Sequence, residues 1–280
     1  RAAGPLTAWR YLLWIGDRLA QYPDIATTEA DPGPVWNAVL AWLAREYPDA
    51  WLTLRDVLPE STASAIKQHG ARRSEGEEYL RLDLRGLDAD SYVARCAPHM
   101  QREIRRARKR LHAERGTAGL SWRAQRAPAI EDVDQLITLN QTRFGPASWF
   151  ADERNAAFFR DLAARADREL LLTSIMQGER TLHVMASYLH GNTLHYVLSG
   201  FDERAKAMSP GTMNLDHTIC WAIGEGYRYF DFLRGDEGYK REFHPEQRRS
   251  IHLEWRFPAS EARRKLARTM QRLRRGAGET

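Results

Sequence analysis

Residues 196–243, YVLSGFDERAKAMSPGTMNLDHTICWAIGEGYRYFDFLRGDEGYKREF, decide the fold of this 280-residue chain. They continue a β-rich apolar run that starts at Thr193 and predicts a strand through Ser199. Ser209 is expected to supply an N-cap oxygen for a helix, and Pro210 fits the first helical position, where no amide hydrogen is needed. The pattern therefore predicts a strand that enters a helix through a short turn.

The helix is predicted to bury one apolar face and to return into a second strand. Four apolar residues share that face at positions i, i+4, i+7 and i+8: Leu215, Ile219, Ala222 and Ile223. Gly224 and Gly226 are expected to end the helix, and residues 227–233 (YRYFDFL) predict the next strand. A polar loop then leads to Tyr239 and Lys240.

The turn before the helix is a candidate anion site. The first amides of a helix have no internal partner, and the helix dipole adds about half a positive charge there. Gly211 has no side chain, so that a ligand can approach the backbone closely, and Arg204 and Lys206 lie just upstream. The alternative is that Ser-Pro-Gly only starts a helix efficiently.

Four motifs in this stretch occur together in a known family. GFD at 200–202, SPG at 209–211, FDFLRGD at 230–236 and YK at 239–240 closely resemble the C-terminal part of the BioF2-like (CelD-type) acetyltransferase domain. That domain belongs to the GNAT superfamily and is related to the FemAB peptidoglycan transferases. The resemblance extends from about residue 83 to residue 243.

The resemblance implies an α+β fold with a GNAT-like mixed sheet flanked by helices, in a tandem-lobe, FemAB-like arrangement. From Leu120 the pattern reads β-α-α-β-β-β-α-β-loop-β, the order of a GNAT lobe. Residues 1–84 are expected to form a partial N-terminal lobe that lacks its first strands, as in a fragment. Residues 85–258 are expected to form the C-terminal lobe, and residues 259–280 a basic helix.

The resemblance also assigns a cofactor site to the turn. In GNAT proteins the corresponding turn holds the pyrophosphate of coenzyme A, with Gln or Arg, then Gly, then Gly or Ala at spacings of three and two. Here those positions carry Lys206, Ser209 and Gly211, so that serine replaces the first glycine. The expected co-substrate is acetyl-CoA or another acyl-CoA, held by Lys206, Ser209, Pro210, Gly211 and Thr212.

Three residues are candidates for the chemistry of acyl transfer. Asp231 lies at the end of a predicted strand, where a carboxylate can act as a base or orient an amine. Lys240 matches the lysine of the FemAB aromatic-Lys pair, which implies stabilisation of developing negative charge, and Glu237 lies beside it. The alternatives are a structural ion pair for Asp231 with Arg228 or Arg234, and a surface salt bridge for Lys240.

Five further residues are candidates for the acceptor site. Asp236 lies in the loop after the second strand, where a carboxylate can hold a cationic acceptor, and Tyr239 precedes the candidate lysine. Arg143, Trp149 and Tyr196 are weaker candidates for lining the same pocket.

Composition is that of a folded protein without a membrane span. The hydrophobic fraction is 43%, the aromatic fraction 10%, and no apolar run approaches the roughly 18 residues that a span needs. Without a signal-peptide pattern, and with two isolated cysteines, a cytoplasmic location is expected. Residues 101–115 and 260–280 each carry seven basic and two acidic residues. Such runs bind phosphates, nucleic acid or anionic lipid, but more often they are solvated helix faces.

No metal site is predicted. His183 and His195 are predicted on adjacent strands of a hairpin and are candidates to face one another across it, but strand histidines are more often structural. Nucleophile elbows and Walker-type phosphate loops are also absent from the sequence.

The leading interpretation is an N-acyltransferase that moves an acyl group from acyl-CoA to an amine or sugar amine. By resemblance only, the pathway is exopolysaccharide, cellulose or envelope biosynthesis. The first alternative is a FemAB-type transferase that uses aminoacyl-tRNA, although the helices of residues 88–165 are short for the helical arm of that class. The second is a non-catalytic module that binds nucleic acid or a partner. The sequence does not predict the acceptor or the oligomeric state.

Overall fold

A computed structural model describes residues 10–13, 22, 24, 25, 27, 30–63, 71–114, 119–165, 168–235, 237–257 and 269. The strands are β1 (Arg10–Leu12), β2 (Ala50–Val57), β3 (Arg72–Asp83), β4 (Leu120–Arg126), β5 (Leu170–Gln177), β6 (Arg180–His190), β7 (Thr193–Phe201), β8 (Tyr229–Arg234) and β9 (Glu246–Arg256). The helices are α1 (Gly33–Glu46), α2 (Ala89–Arg95), α3 (Pro98–Glu114), α4 (Ile130–Phe144), α5 (Glu153–Arg165), α6 (Pro210–Gly224) and α7 (Gly238–Arg241).

The chain forms two compact units, one of Arg1–Glu78 with Arg249–Thr280 and the other of Tyr79–Arg248. In the first unit, β1 pairs in parallel with β2, and β2 pairs antiparallel with β9. Helix α1 buries Trp36 and Leu40 against Leu52 and Leu54 of β2, with Ile251 and Leu253 of β9 in the same cluster. The predicted basic helix of residues 259–280 lies, except for Thr269, outside the described residues.

The second unit contains every motif of the quoted stretch. Its strands follow the order β3-β8-β7-β6-β5-β4. Strands β4 to β7 form an antiparallel meander, β7 pairs in parallel with β8, and β8 pairs antiparallel with residues 79–83 of β3. This is the mixed sheet of the predicted α+β, GNAT-like fold, which the structure confirms.

Helices cover both faces of this sheet. On one face Leu194 and Phe230 pack in a core with Ile104 of α3 and Ile219 of α6. On the other face Leu172 and Leu198 pack against α4 and α5, through residues that include Leu136, Ile137 and Phe159. Leu194 and Leu198 are four residues apart and would share a face of a regular strand, so β7 contributes to both cores because its register shifts between Tyr196 and Leu198.

The local predictions of helix and strand hold over most of this unit. Asp88 caps α2 with a capping box, accepting from the amides of Asp90 and Ser91, and α3 begins at Pro98. The loop expected before Lys240 instead contains the short helix α7. Across the described residues, no helix combines the length and the apolar character needed to cross a membrane.

The basic helix α3 is more than a solvated face. Arg105 and Lys109 are exposed, but Arg108 turns inward and forms a bidentate pair with Asp216 of α6, with both N–O distances 2.8 Å. Asp216 is 1% exposed and also accepts from the hydroxyl of Tyr92. Because a carboxylate inside the protein needs compensating charge and hydrogen bonds, this pair fixes α3 against α6.

Arg108→Met is expected to lower the free energy of unfolding by about 2–4 kcal/mol, because it leaves the Asp216 carboxylate buried without its cation. The value lies at the low end for buried pairs because the Arg108 side chain is 28% exposed. Chemical denaturation is the measurement, with Arg105→Met on the exposed face of α3 as the matched control. Equal stability of the two variants would contradict the assignment.

Candidate functional site

Strands β7 and β8 pair over only three residues. Their parallel register joins Thr193–His195 to Tyr229–Asp231, and in the described part of the chain it goes no further. Beyond that point β7 stays paired with β6 as far as Phe201, and β8 stays paired with β3 as far as Arg234. The edge of β7 that faces away from β6 therefore presents backbone groups that need partners from elsewhere. A gap between two neighbouring strands thus opens in the middle of the sheet.

A β-bulge lies where the gap opens. Ser187 of β6 pairs with Tyr196 and Ala186 pairs with Leu198, so that Val197 is the extra residue on β7. A bulge leaves its extra residue out of the ladder and reverses the alternation of side chains. Tyr196 accordingly packs on the α6 face, whereas Leu198 packs on the α4 face.

Helix α6 begins on a turn with free amides. Residues Glu203–Met208 form a 3-10 helix, Pro210 takes the first position of α6, and the first amide with a helical bond is that of Met213, which donates to Ser209. Among the described residues, no backbone carbonyl accepts from Gly211 or Thr212. Both residues are half-exposed, and Lys206 is exposed beside them in the chain. The cofactor residues predicted from the sequence are therefore brought together in one turn.

The prediction that the Ser209 side chain caps α6 with a hydrogen bond is wrong. Ser209 occupies the N-cap position, but it adopts the left-handed conformation, with φ of 51°, and its side chain makes no capping hydrogen bond. A capping side chain needs an extended backbone to reach the amides of the first turn. The consequence is that these amides remain available to a ligand.

Two tyrosines bring separate elements together beside the gap. The hydroxyl of Tyr196 on β7 bonds to Ser199 at 2.9 Å and shares a hydrogen bond with Tyr239 of α7. Burial raises the pKa of Tyr196, and the hydrogen bonds and the charge of Arg143 oppose that shift. Burial of its hydroxyl group also raises the pKa of Tyr239, although the residue as a whole is 37% exposed.

Arg143 and Glu237 belong to the same cluster. The positive charge of Arg143 lowers the pKa of both tyrosines, and the negative charge of Glu237 raises it. Burial, which also raises the pKa, has a larger effect than either charge. The Arg143 guanidinium lies 4.3 Å from the centre of the Phe201 ring, at the end of β7. Four predicted residues, Arg143, Tyr196, Glu237 and Tyr239, are thus neighbours.

Lys240 is buried, and its ammonium group has three partners. It donates to the carbonyl oxygens of Phe232 at 3.1 Å and Arg234 at 3.2 Å, and it pairs with Glu237 at 2.7 Å. An ammonium group has three donors, so this set satisfies it. At 4% exposure Lys240 is not the surface salt bridge that was the alternative interpretation. It holds the end of β8 beside the gap.

Asp231 lies at the last position of β8 that pairs with β7, opposite His195. One carboxylate oxygen accepts from the amide of Leu233 at 2.7 Å, and the other lies 3.4 Å from Nδ1 of His195. Leu233 has a φ of 60°, a conformation unfavourable for leucine that the Asp231 bond helps to hold. Asp231 therefore shapes the end of the strand and also presents a carboxylate-imidazole pair where the gap begins.

The sequence matches the family described as "Acetyltransferase (GNAT) domain" over residues 98–241, slightly more than half of the chain. The chain belongs to this GNAT family. The match extends from α3 to α7 and so includes the gap, the α6 turn and the tyrosine pair. No curated protein matches the sequence.

Solved structures share the fold of this GNAT chain at low identity. FemX has a TM-score of 0.63 at 10% identity, covering 95% of this chain and 84% of that one. L-PGS from Bacillus licheniformis has a TM-score of 0.58 at 12% identity, covering 89% of this chain and 79% of that one. The C-terminal domain of a putative lysylphosphatidylglycerol synthetase from Agrobacterium fabrum has a TM-score of 0.56 at 13% identity, covering 80% of this chain and 72% of that one.

Trp149 packs edge-on against Phe150, Phe158 and Phe159 on the α5 side, so that its acceptor role stays a prediction. Asp236 lies outside the described residues. The described residues also contain no cluster of three or more His, Cys, Asp or Glu side chains that could hold a metal.

Sequence reasoning missed the partners of the strand histidines. His183 pairs with Phe201 across the hairpin and His195 with Tyr188, so that the expected contact between the two histidines is wrong. His183 instead bonds to Asn214 of α6 at 2.9 Å. The sequence offered one signal for this contact. Asn214 is a polar residue that directly precedes Leu215, which lies on the predicted apolar face of the helix.

Ser209→Ala is expected to change the free energy of unfolding by less than about 0.5 kcal/mol, because no capping bond is lost. The matched variant is Asp88→Ala, which removes a real capping box and is expected to cost about 1 kcal/mol or more. Thermal unfolding of the two variants is the measurement. A Ser209→Ala loss as large as that of Asp88→Ala would show that the serine caps α6 after all.

Proposed function

We propose that this GNAT chain is a BioF2-like, CelD-type N-acyltransferase that moves an acyl group, acetyl foremost, from acyl-CoA to an amine or sugar amine. The observation that supports this most directly is the gap between β7 and β8, with the free amides of α6 in the turn that follows β7. A gap edged by β7 backbone that β8 does not pair suits an extended, amide-containing donor. The free amides suit its diphosphate.

The α6 turn would hold the diphosphate. The Gly211 and Thr212 amides donate without an internal competitor, and Lys206 adds a mobile charge. Ser209 keeps an uncommitted hydroxyl, and buried Pro210 fixes the turn without needing a hydrogen-bond acceptor. A Cβ on Gly211 would lie 3.5 Å from His183, an ordinary contact, so that glycine is not required there for packing.

The reaction needs a held thioester, a free amine and stabilisation of one oxygen. The amine nitrogen attacks the thioester carbonyl carbon, the new C–N bond forms, the C–S bond breaks and the thiolate leaves. One proton passes from the amine to a base. The charge on the carbonyl oxygen would be stabilised by the Val197 amide, which the bulge frees from the ladder, and by the charge of Lys240.

Two carboxylates are candidates for the base. Asp231 with His195 lies at the mouth of the gap, where an imidazole supported by a carboxylate can accept a proton. Glu237 is more than half exposed and already pairs with Lys240, so that it is better suited to hold the ammonium group of an incoming acceptor. The Tyr196 and Tyr239 hydroxyls, enclosed beside Arg143, suit the hydroxyl groups of a sugar amine.

A FemAB-type transferase that uses aminoacyl-tRNA is the second candidate, favoured by the likeness of the fold to FemX. Two further similar structures carry the names L-PGS and lysylphosphatidylglycerol synthetase. Against this candidate, the longest helix among the described residues is α3 with 17 residues, short for the arm of that class.

Coenzyme A is expected to raise the melting temperature of the protein, whereas tRNA is not. Gly211→Ala should weaken coenzyme A binding by about tenfold or more, because the added Cβ obstructs the amides. Gly224→Ala in the same helix is the control, since a Cβ there meets nothing within 4 Å. Stabilisation by tRNA alone would favour the second candidate, and stabilisation by neither ligand would favour a non-catalytic module.

Lys240→Met is expected to lower kcat by about 10²-fold or more, since it removes a buried charge beside the gap. Coenzyme A affinity should change little, because the α6 turn is a different element. Initial rates with acetyl-CoA and an amine acceptor, together with calorimetric titration of coenzyme A on the same sample, are the measurements. An unchanged kcat would exclude Lys240 from the chemistry, and loss of coenzyme A binding as well would show that it acts through the fold.

A further inference from the structure

A buried histidine lies directly against the first turn of α6. His183 of β6 is 4% exposed, and its Nε2 and Cδ2 atoms would lie 3.5 and 3.6 Å from a Cβ on Gly211. This edge of the ring therefore points at the position where the free amides of Gly211 and Thr212 begin.

The hydrogen-bond network beneath α6 fixes which ring nitrogen carries the proton. The indole of Trp122 can only donate, and it donates to Oδ1 of Asn214 at 2.9 Å. The other amide atom of Asn214 is therefore nitrogen, and it donates to the Thr173 carbonyl at 2.8 Å and to Nδ1 of His183 at 2.9 Å. Because Nδ1 accepts this bond, a neutral His183 carries its proton on Nε2.

His183 is held neutral by its surroundings. Burial lowers its pKa to about 3, and the positive charge of Arg143 contributes in the same direction. Asn214 is fully buried, and its backbone oxygen accepts from the hydroxyl of Thr218 at 2.7 Å, which lies 2.9 Å from the hydroxyl of Thr173. The ring is therefore rigid, with one N–H donor directed at the turn.

No described residue accepts a hydrogen bond from Nε2 of His183. The residue is 4% exposed, and this edge of its ring lies against the Gly211 turn. An N–H that is held in a fixed direction and has no acceptor among the described residues is suited to an incoming acceptor.

We propose that His183 is a further ligand-binding residue, whose Nε2–H donates a hydrogen bond to a diphosphate oxygen of coenzyme A held at the Gly211 turn. The proposal rests on the function proposed above and adds a residue to its donor site. Three donors converge there, the amides of Gly211 and Thr212 and the His183 ring, and a diphosphate offers acceptor oxygens to all three.

The test is His183→Asn, with coenzyme A and pantetheine as the probes. The asparagine Oδ1 can take the place of Nδ1 and still accept from Asn214, so that the internal network is kept, whereas its Nδ2 lies nearer the backbone than the imidazole Nε2 and falls short of the turn. Calorimetry should show coenzyme A binding weakened by about tenfold or more. Pantetheine lacks the diphosphate, so its affinity should not change, whereas a general structural defect would affect both probes.

Nitrogen-15 NMR of histidine-labelled wild-type protein gives a second measurement that needs no variant. We expect His183 in the Nε2–H form, with its Nε2 resonance shifted by coenzyme A. An Nδ1–H form, or unchanged coenzyme A affinity in a folded His183→Asn protein, would overturn the proposal, and weaker pantetheine binding would overturn the assignment to the diphosphate. If the wild-type protein bound no coenzyme A, the proposed function would fail first and this proposal with it.

Discussion

The limited pairing between β7 and β8 is the constraint on which the rest of the site depends. Three parallel residue pairs hold the strands together at one end, and each strand is then held by its other neighbour. Because main-chain amides and carbonyls need hydrogen-bond partners, the gap costs folding free energy unless water or a ligand supplies those partners. At the joined end the paired residues Leu194 and Phe230 pack in the core on one face, and Leu198, further along β7, packs in the core on the other face.

Polar groups buried under α6 hold this helix in place. Asp216 pairs with Arg108 of α3, and Asn214, two residues nearer the N-terminus, bonds to Trp122, Thr173 and His183. Buried polar networks of this kind are favourable only when their members are satisfied, and they then restrict the packing to one arrangement. The first turn of α6 is therefore positioned by side chains further along the same helix.

The far end of the gap is built from the chain after β8. Asp231 holds the unusual backbone of Leu233, and Lys240 gathers the carbonyls of Phe232 and Arg234 together with Glu237. Tyr239, the residue before Lys240, reaches Tyr196 on β7. The side chains that make these structural bonds are thus also the candidate catalytic groups. The effect of a substitution there must therefore be measured on ligand binding as well as on reaction rate.

The sequence by itself determined the order of the elements, the start of α6 at Pro210 and its buried face, because these depend on local spacing and backbone restrictions. It also named Glu237, Tyr239 and Lys240 as candidate site residues and Tyr196 as a weaker one, and their roles stay predictions. Only the tertiary structure decided that Ser209 is left-handed and that Lys240 is buried with three partners. It alone placed His183 on Asn214 and against Gly211, because strand register and contacts across 31 residues of chain leave no local signal.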